Sequence, residues 1–327
     1  MNATTLSPDL HPLLTEYVLR LLNKKQVTTV NSFLNIESCD LAKIANLPPV
    51  AITTIKNHLE QSFWDSIYKG VSSNSRRRPA IATGITALDE LLRGGLRLGH
   101  IYELCGESCA GKTQLCLTLA ANVAFAHSNR PVYFFDTRSA FSAIRIQQIL
   151  ERKHKDLSEQ RLAQTLDNIK VEHVFNPELL VQAVEQLVKT KRAEDDPAPA
   201  LLIIDSLPSL WYLYHNAESI GVPFGLLEKL ICALRQFGTQ HSVAVLLVNI
   251  TVQARDGAAM QNERRINSYG RYSAMGHYWE SATGTRLCLM AKEEANDIGD
   301  RMVQVWKSSH LRTGAEAVIR ITDEGVV

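Results

Sequence analysis

One eight-residue segment constrains the fold of this chain more than any other. Gly106-Glu-Ser-Cys-Ala-Gly-Lys-Thr113 matches the pattern G-x-x-x-x-G-K-[ST], in which a glycine-rich loop surrounds phosphate groups. The motif requires a strand before it and a helix after it, and the sequence has an apolar run at 101–104 and a helix-period segment at 112–127. Because strand, loop and helix agree, the sequence predicts an α/β nucleotide-binding domain.

The predicted ligands are a nucleotide and Mg²⁺, and the motif residues have distinct expected roles. Lys112 would reach the β- and γ-phosphates, and Thr113 would offer its hydroxyl to Mg²⁺. Asp205 ends the apolar run at 201–204. A strand-terminal aspartate is often only a helix cap, but downstream of this loop it is the natural second metal ligand. The residues predicted to enclose the phosphates are Gly106, Glu107, Ser108, Cys109, Ala110, Gly111, Lys112 and Thr113.

From about residue 83 onward, apolar runs alternate with helix-period segments. The runs lie at 101–104, 132–135, 201–204 and 243–248, and the helical segments at 112–127, 141–152, 178–190 and 224–238. Strands that are buried on both faces and separated by helices form a parallel or mostly parallel sheet. Closely spaced runs at 286–290, 303–306 and 318–321 predict further strands joined by hairpins. The predicted fold class is therefore α/β with a mostly parallel central sheet.

Residues 1–62 predict a small, all-helical N-terminal domain. Apolar residues recur with helical spacing from Leu13 to Leu22 and again on both sides of Pro48-Pro49. The segment Leu41-Ala-Lys-Ile-Ala-Asn-Leu-Pro resembles a helix-hairpin-helix turn, and Asn46 tolerates the left-handed backbone that such a turn needs. Two interpretations stay open, a helical bundle for protein contacts and a hairpin that contacts DNA.

A linker is predicted over residues 63–82, where serine, asparagine, glycine and proline accumulate. It contains the run Arg76-Arg77-Arg78, which is compatible with a nuclear localisation patch, a phosphate contact or a merely solvated linker. The core domain is then expected to occupy residues 83–327.

Composition limits the classes of protein to which the chain can belong. Its 327 residues carry 35 lysines and arginines against 34 acidic residues, a net charge of +1. That balance excludes nucleic-acid or membrane binding through bulk charge, so any such site must be a local patch. Six scattered cysteines without a Cys-x-x-Cys pair favour a reducing compartment. Because no secretory signal or membrane-length apolar run is found, we expect a soluble intracellular protein with no membrane partner.

One such local patch is predicted between residues 253 and 274. Basic side chains for phosphates alternate there with aromatic rings for base stacking, as in loops that bind single-stranded DNA. The predicted DNA-binding residues are Arg255, Arg264, Arg265, Tyr269, Arg271 and Tyr272. A solvated charged loop is the alternative. A second candidate DNA-binding loop, at 211–221, contains Trp211, Tyr212 and Tyr214 but no lysine or arginine, and its aromatic side chains could equally anchor a partner protein.

Several motifs together resemble the RecA-like strand-exchange recombinases of eukaryotes and archaea. They are Thr83-Gly-Ile-Thr-Ala-Leu-Asp89, Gly94-Gly95, Leu98-Gly99, Asp256-Gly-Ala-Ala-Met260 and Gly284-Thr-Arg286-Leu. Met275-Gly-His-Tyr-Trp279 and Lys307-Ser-Ser-His-Leu-Arg-Thr-Gly314 are most similar to the D-type branch of the recombination paralogues. The resemblance covers nearly the whole chain. It implies a RecA-like P-loop ATPase core, an adenine that stacks on Arg145, and a DNA-binding loop within 253–274. We expect Cys109 and Trp279 to be packing residues.

Two departures from the family pattern bear on ATP hydrolysis. Arg138 stands where the family has the glutamate that activates the attacking water, and a guanidinium accepts no proton at neutral pH. Loss of a general base typically costs about 10²–10⁴ in rate. Ile250 replaces the glutamine that senses the γ-phosphate. The sequence therefore predicts ATP binding with weak intrinsic turnover, and no residue is assigned as catalytic.

The resemblance also implies partners and a location. Phe63-Trp-Asp-Ser66 only partly matches the family's Phe-x-x-Ala assembly motif, so we expect no homo-filament. We expect instead a nuclear hetero-complex with other recombinase paralogues that binds single-stranded DNA and assists the main recombinase filament in homologous-recombination repair. Two alternatives stay open, an active DNA-dependent ATPase or strand-exchange recombinase, and a nucleotide-locked scaffold without direct DNA contact.

Overall fold

The computed structural model describes residues 5–36, 38–56, 58–59, 79–190, 198–212, 221–253, 271–275, 279, 282–291 and 299–327. The chain divides into two compact units, residues 1–77 and 78–327. Most of the predicted linker, together with Phe63 and Arg76 to Arg78, lies outside the described residues. The boundaries at 62 and 82 therefore stay predictions.

The first unit is helical. Its elements are a 3-10 turn (Pro8–Leu10) and the helices α1 (Glu16–Lys24), α2 (Val30–Asn35), α3 (Ser38–Ala45) and α4 (49–56). Thr29 and Ser32 form a reciprocal capping box that fixes the start of α2. Apolar side chains from all four helices, mostly leucine and isoleucine, form a buried hydrophobic core. Asn46, directly after α3, has a φ of 52°, as the sequence predicts for this turn.

The second unit contains a nine-stranded sheet of order β13-β12-β11-β10-β3-β7-β6-β4-β5 in the described residues. The strands from β10 to β5 are parallel, and β11, β12 and β13 extend the sheet by antiparallel pairing. The sheet strands are β3 (Ile101–Gly106), β4 (Val132–Asp136), β5 (Ile169–His173), β6 (Leu201–Asp205), β7 (Ala244–Val248), β10 (Thr285–Ala291), β11 (Asp300–Ser308), β12 (Glu316–Thr322) and β13 (Gly325–Val326). The predicted mostly parallel sheet is confirmed.

Helices cover both faces of the sheet. They are α5 (Thr86–Leu91), α6 (Lys112–Ala126), α7 (Ala143–Lys153), α8 (Glu159–Asp167), α9 (Pro177–Lys189), α10 (Leu207–Trp211) and α11 (Gly221–His241). Alternate residues of β6 enter different cores, since Leu201 and Ile203 pack on the α6 side and Leu202 and Ile204 on the other side. This two-sided burial is why the central strands are continuous apolar runs in the sequence.

Two small hairpins lie outside the main sheet. Strand β1 (Ala80–Ile81) pairs with β2 (Leu96–Arg97), and β8 (Thr251–Gln253) pairs with β9 (Arg271–Ser273). The second hairpin joins the two ends of the segment 254–270, which itself lies outside the described residues. The predicted loop therefore begins and ends on neighbouring strands.

Aromatic packing corrects one of the two interpretations of the 211–214 segment. Trp211 ends α10 and is 6% exposed, because it packs in the core with the leucines of that helix. It is therefore not available to anchor a partner, whereas Tyr212 is 70% exposed. Tyr214 lies outside the described residues. Trp279 is fully buried, as expected of a packing residue.

No helix within the described ranges is long and apolar enough to cross a membrane.

The His310 ring makes the stability of the core depend on pH. Burial lowers its pKa from 6.5 to about 3, and positive charge on the neighbouring His100, Arg97 and Arg93 acts in the same direction. The unfolded chain then binds a proton that the folded chain excludes, so stability is lost as pH falls through 6.5 toward 3. From pH 7.5 to 5.5 we expect His310 to account for a loss of about 1 kcal/mol, less than the full linkage value because the ring is partly exposed.

Urea unfolding of the wild type and of His310→Asn at both pH values measures this contribution. The loss on acidification should be smaller in the variant, since asparagine takes up no proton. An equal loss in both proteins would contradict the assignment.

Candidate nucleotide site

The predicted phosphate loop connects β3 to α6 at the carboxyl edge of the parallel strands. Every residue of β3 is buried, and the strand pairs with β7 on one side and β10 on the other. A Cβ at Gly106 would collide with the Leu289 carbonyl oxygen, so this position requires glycine. Gly111 caps α6 with a φ of 103°, which glycine adopts without strain. Both glycines of the motif are therefore required by the backbone of this loop.

Lys112 lies at the centre of this loop. Its Nζ donates hydrogen bonds to the carbonyl oxygens of Gly106, at 2.9 Å, and Glu107, at 2.5 Å. The side chain is 8% exposed, and burial lowers its pKa while the nearby Asp205 carboxylate acts in the opposite direction. A charged donor of this kind can exchange carbonyl oxygens for the more strongly bound oxygens of a phosphate.

Thr113 and Asp205, the two predicted metal ligands, lie together. The Thr113 hydroxyl donates a 2.7 Å hydrogen bond to Asp205 Oδ2, although the two residues are 92 positions apart. Burial raises the pKa of Asp205, and the hydrogen bond from Thr113 opposes that rise. Hydroxyl and carboxylate oxygens are the hard ligands that Mg²⁺ prefers, so the donor set fits this ion.

The turn after β4 contains the position of the family's catalytic glutamate. Asp136 is fully buried, and its carboxylate accepts hydrogen bonds from the backbone N–H groups of Arg138 (3.0 Å), Ala140 (3.1 Å) and Phe141 (2.8 Å). These bonds fix the backbone of the turn. Arg138 is exposed in this turn, which follows β4 at the edge of the sheet that carries Asp205.

Arg145, predicted to stack on adenine, is held by its neighbours. Its guanidinium donates to Gln114 Oε1 at 3.0 Å and to the carbonyl oxygens of Thr322 at 2.7 Å and Asp323 at 2.8 Å. The side chain therefore ties α6 and α7 to the turn between β12 and β13. These bonds orient the guanidinium plane, and adenine stacking stays a prediction.

Two further residues that sequence reasoning missed contact the phosphate loop. Arg301 of β11 donates from Nε to the Ala110 carbonyl oxygen at 3.0 Å. Ile321 of β12 lies against Gly111, where a Cβ would collide with its Cδ1 atom. Neither residue lies in a sequence motif. Both reach the loop because the order of strands in the sheet brings β11 and β12, which are distant in the sequence, next to it.

The predicted DNA-binding residues are only partly described. Arg255, Arg264, Arg265 and Tyr269 lie outside the described residues. Arg271 and Tyr272 lie on β9, where Tyr272 is 39% exposed and Arg271 forms an ion pair with Glu107 of the phosphate loop. The predicted phosphate contact Glu107 and the predicted DNA contact Arg271 are therefore neighbours.

A buried polar network, also missed by sequence reasoning, lies below this ion pair. Glu103 of β3 is fully buried and pairs through Oε2 with Arg286 Nε at 2.6 Å. Its Oε1 accepts from Asn249 at 2.8 Å and from Ser273 at 2.6 Å. The sequence signals for the network are Glu103, within the otherwise apolar run Ile101–Leu104, and Arg286, within the motif Gly284-Thr-Arg286-Leu. The network ties the end of β7 and the β9 strand to β3.

One prediction about the loop was wrong. Cys109 is exposed rather than packed, because the loop passes through a left-handed conformation there, with a φ of 61°. The thiol is therefore not part of the core.

This loop, the strand-terminal carboxylate and the sheet order together define a P-loop ATPase fold of the RecA type. A family model described as Rad51 matches residues 76–327, and the chain belongs to that family. The resemblance stated from the motifs is thereby confirmed.

Individual relatives and a solved structure agree with this family. The chain is 26% identical to "DNA repair protein RAD51 homolog 4" of Bos taurus, over 98% of this chain and 96% of the relative. It is 28% identical to the Mus musculus protein of the same name, over 97% of this chain and 94% of that protein. The fold is similar to "Crystal structure of the RadB recombinase", with a TM-score of 0.58, 20% identity, and coverage of 75% of this chain and 97% of that one. At that identity the structural likeness shows the fold alone.

Proposed function

We propose that this chain is an ATP-binding recombinase paralogue that acts in homologous-recombination DNA repair. The observation that carries the proposal is the phosphate loop, in which Lys112 is central and Thr113 is hydrogen-bonded to Asp205 at 2.7 Å. The family and the names of the relatives, which are DNA repair proteins, support the biological setting. Mg²⁺ bound at Thr113 and Asp205 would neutralise phosphate charge.

Intrinsic ATP hydrolysis is proposed to be weak. At residue 138 a guanidinium stands in place of a carboxylate, and it cannot take a proton from water. Ile250, after β7, donates only its backbone N–H, to Asn249 Oδ1 at 2.8 Å, and its side chain has no group that could sense a phosphate. The time for which this protein keeps ATP bound and uncleaved would then exceed the time that an active family member needs to cleave it.

Single-stranded DNA is the proposed macromolecular ligand of the segment 253–274. Its described end, β9, carries an exposed Tyr272, whose ring can stack on a base, and Arg271, which pairs with Glu107 of the phosphate loop. Other recombinase paralogues are the proposed protein partners, in a nuclear complex that assists the main recombinase filament, and we propose no homo-filament.

Removing two arginines of this segment should weaken DNA binding. For Arg264→Ala/Arg265→Ala we expect about a tenfold or greater rise in Kd for a fluorescent oligo-dT at low salt, since each lost phosphate contact removes counterion release. The slope of log K against log salt should become shallower by about 1.4 for the two contacts on a single strand. The control variant Lys155→Ala changes an exposed cation outside the segment. Equal affinity and slope for the double variant and the wild type would reject the DNA assignment.

Two other functions have specific observations in their favour. The intact Lys112, Thr113 and Asp205 favour an active DNA-dependent ATPase, which DNA-stimulated turnover would reveal. The ion pair between Arg271 and Glu107 favours a nucleotide-locked scaffold, because an arginine held by the phosphate loop is less available to DNA. A wild-type chain that binds nucleotide but shows no salt-dependent DNA affinity would support the scaffold.

A further inference from the structure

The backbone of Arg138 is fixed by hydrogen bonds, whereas its guanidinium group has no partner among the described residues. Asp136 fixes the turn through hydrogen bonds to three backbone N–H groups, one of which belongs to Arg138. Within the part of the chain that the structure describes, no hydrogen bond or ion pair engages the guanidinium, which is exposed. This is unusual among the arginines near the site, since Arg145, Arg271 and Arg301 are all held by neighbours.

The turn lies directly beside the metal-side carboxylate. In the parallel ladder Asp136 is opposite Asp205, and the next residue, Thr137, donates its backbone N–H to the Asp205 carbonyl oxygen at 2.9 Å. The Thr137 hydroxyl also donates to the Ser206 carbonyl oxygen at 2.7 Å. Residue 138 therefore leaves the sheet at the same edge as Asp205 and the start of α6.

Arg138 adds a second cation to the edge of the sheet that carries Lys112, because the residue before it, Thr137, is hydrogen-bonded to the backbone of Asp205. Two cations held near each other repel, so each favours an anion that can neutralise both. A nucleoside triphosphate has one more phosphate group, and one more negative charge in total, than a diphosphate, and a guanidinium binds phosphate oxygens in a bidentate manner.

We propose that Arg138 binds the terminal phosphate of a nucleoside triphosphate, so that the site discriminates triphosphate from diphosphate. Arg138 would then determine the specificity for the triphosphate. The arginine that stands in place of the family's glutamate would both remove the catalytic base and strengthen the binding of uncleaved ATP. This inference rests on the proposed ATP binding by the phosphate loop. It assigns Arg138 no part in proton transfer.

The test compares the Kd values of ATPγS and ADP, each with Mg²⁺, by titration calorimetry. In Arg138→Ala we expect the Kd of ATPγS to rise about tenfold, the effect of one charge-assisted contact, and that of ADP to change less than about twofold. Arg138→Lys should keep part of the discrimination, since lysine retains the charge without the planar fork. Arg312→Ala is the matched control, because Arg312 is an exposed arginine in the connection between β11 and β12.

The outcomes separate this inference from the proposed function. If the wild type binds both nucleotides and Arg138→Ala changes neither Kd, or changes both equally, the inference is wrong and ATP binding stands. If the wild type binds neither nucleotide, the proposed function fails and the inference fails with it. Circular dichroism and thermal unfolding show whether each variant keeps its fold. We expect that it does, because the substituted side chains are exposed.

Discussion

Lys112→Ala is expected to raise the Kd for ATP by about 10²–10³-fold. The substitution removes the only buried ammonium of the described phosphate loop, and charge-assisted hydrogen bonds are worth about 1.5–3 kcal/mol each. Two such contacts, to the β- and γ-phosphates, account for the expected change. Titration with ATPγS and Mg²⁺ measures it, and Lys155→Ala, which changes an exposed lysine, is the control.

The same variant should keep its fold. Lys112 is buried with a lowered pKa, so its removal relieves a desolvation cost that offsets the loss of its hydrogen bonds to the Gly106 and Glu107 carbonyl groups. We therefore expect its thermal midpoint without nucleotide to stay within a few degrees of the wild type, and the upward shift caused by ATPγS to disappear. Wild-type affinity in a folded Lys112→Ala protein would remove the basis for the proposed nucleotide site.

Arg286→Met is expected to destabilise the core unit by about 3–5 kcal/mol. The change leaves the Glu103 carboxylate buried and without its 2.6 Å ion-pair partner, the most costly way to break such a pair. Urea unfolding followed by tryptophan fluorescence measures the loss. Because Arg286 also lies over the Trp306 ring at 5.2 Å, part of the effect is lost packing.

A double variant separates the charge from the packing. Glu103→Leu/Arg286→Met removes both charges, and we expect it to lose less stability than Arg286→Met alone. Exposed Arg312→Ala should change stability by less than about 0.5 kcal/mol. A loss below about 1 kcal/mol for Arg286→Met would contradict the view that this buried pair supports the site.

The sequence was informative where local chemistry decides the structure. The phosphate loop is specified by two glycines and a lysine within eight residues, and the central strands by continuous apolar runs that both sheet faces bury. Asp205 could be paired with Thr113 in advance, because the carboxyl ends of parallel strands meet at one edge of a sheet. The positive φ of Asn46 followed from the few residue types that adopt it.

Elements that depend on distant neighbours were missed. Strand β5 lies at the sheet edge with its last two residues exposed, so it lacks the apolar run that marks a central strand. Helix α8 has few apolar residues and one buried side chain, Thr165. The contact of Arg301 with the loop arises from strand order and has no motif. Arg286 lies in a family motif, but its pairing with Glu103, 183 positions away, also arises from strand order. Cys109 was assigned to the interior because its backbone conformation was not anticipated.

One measurement tests the central claim, ATP binding with weak turnover, most directly. Radiolabelled ATP is mixed with excess wild-type protein and Mg²⁺, with and without single-stranded DNA, and both bound ATP and released phosphate are followed over time. We predict that the ATP binds and stays mostly uncleaved for many turnover times of an active family member, with little effect of DNA. Rapid DNA-stimulated cleavage that Lys112→Ala abolishes would contradict that claim and favour an active recombinase ATPase.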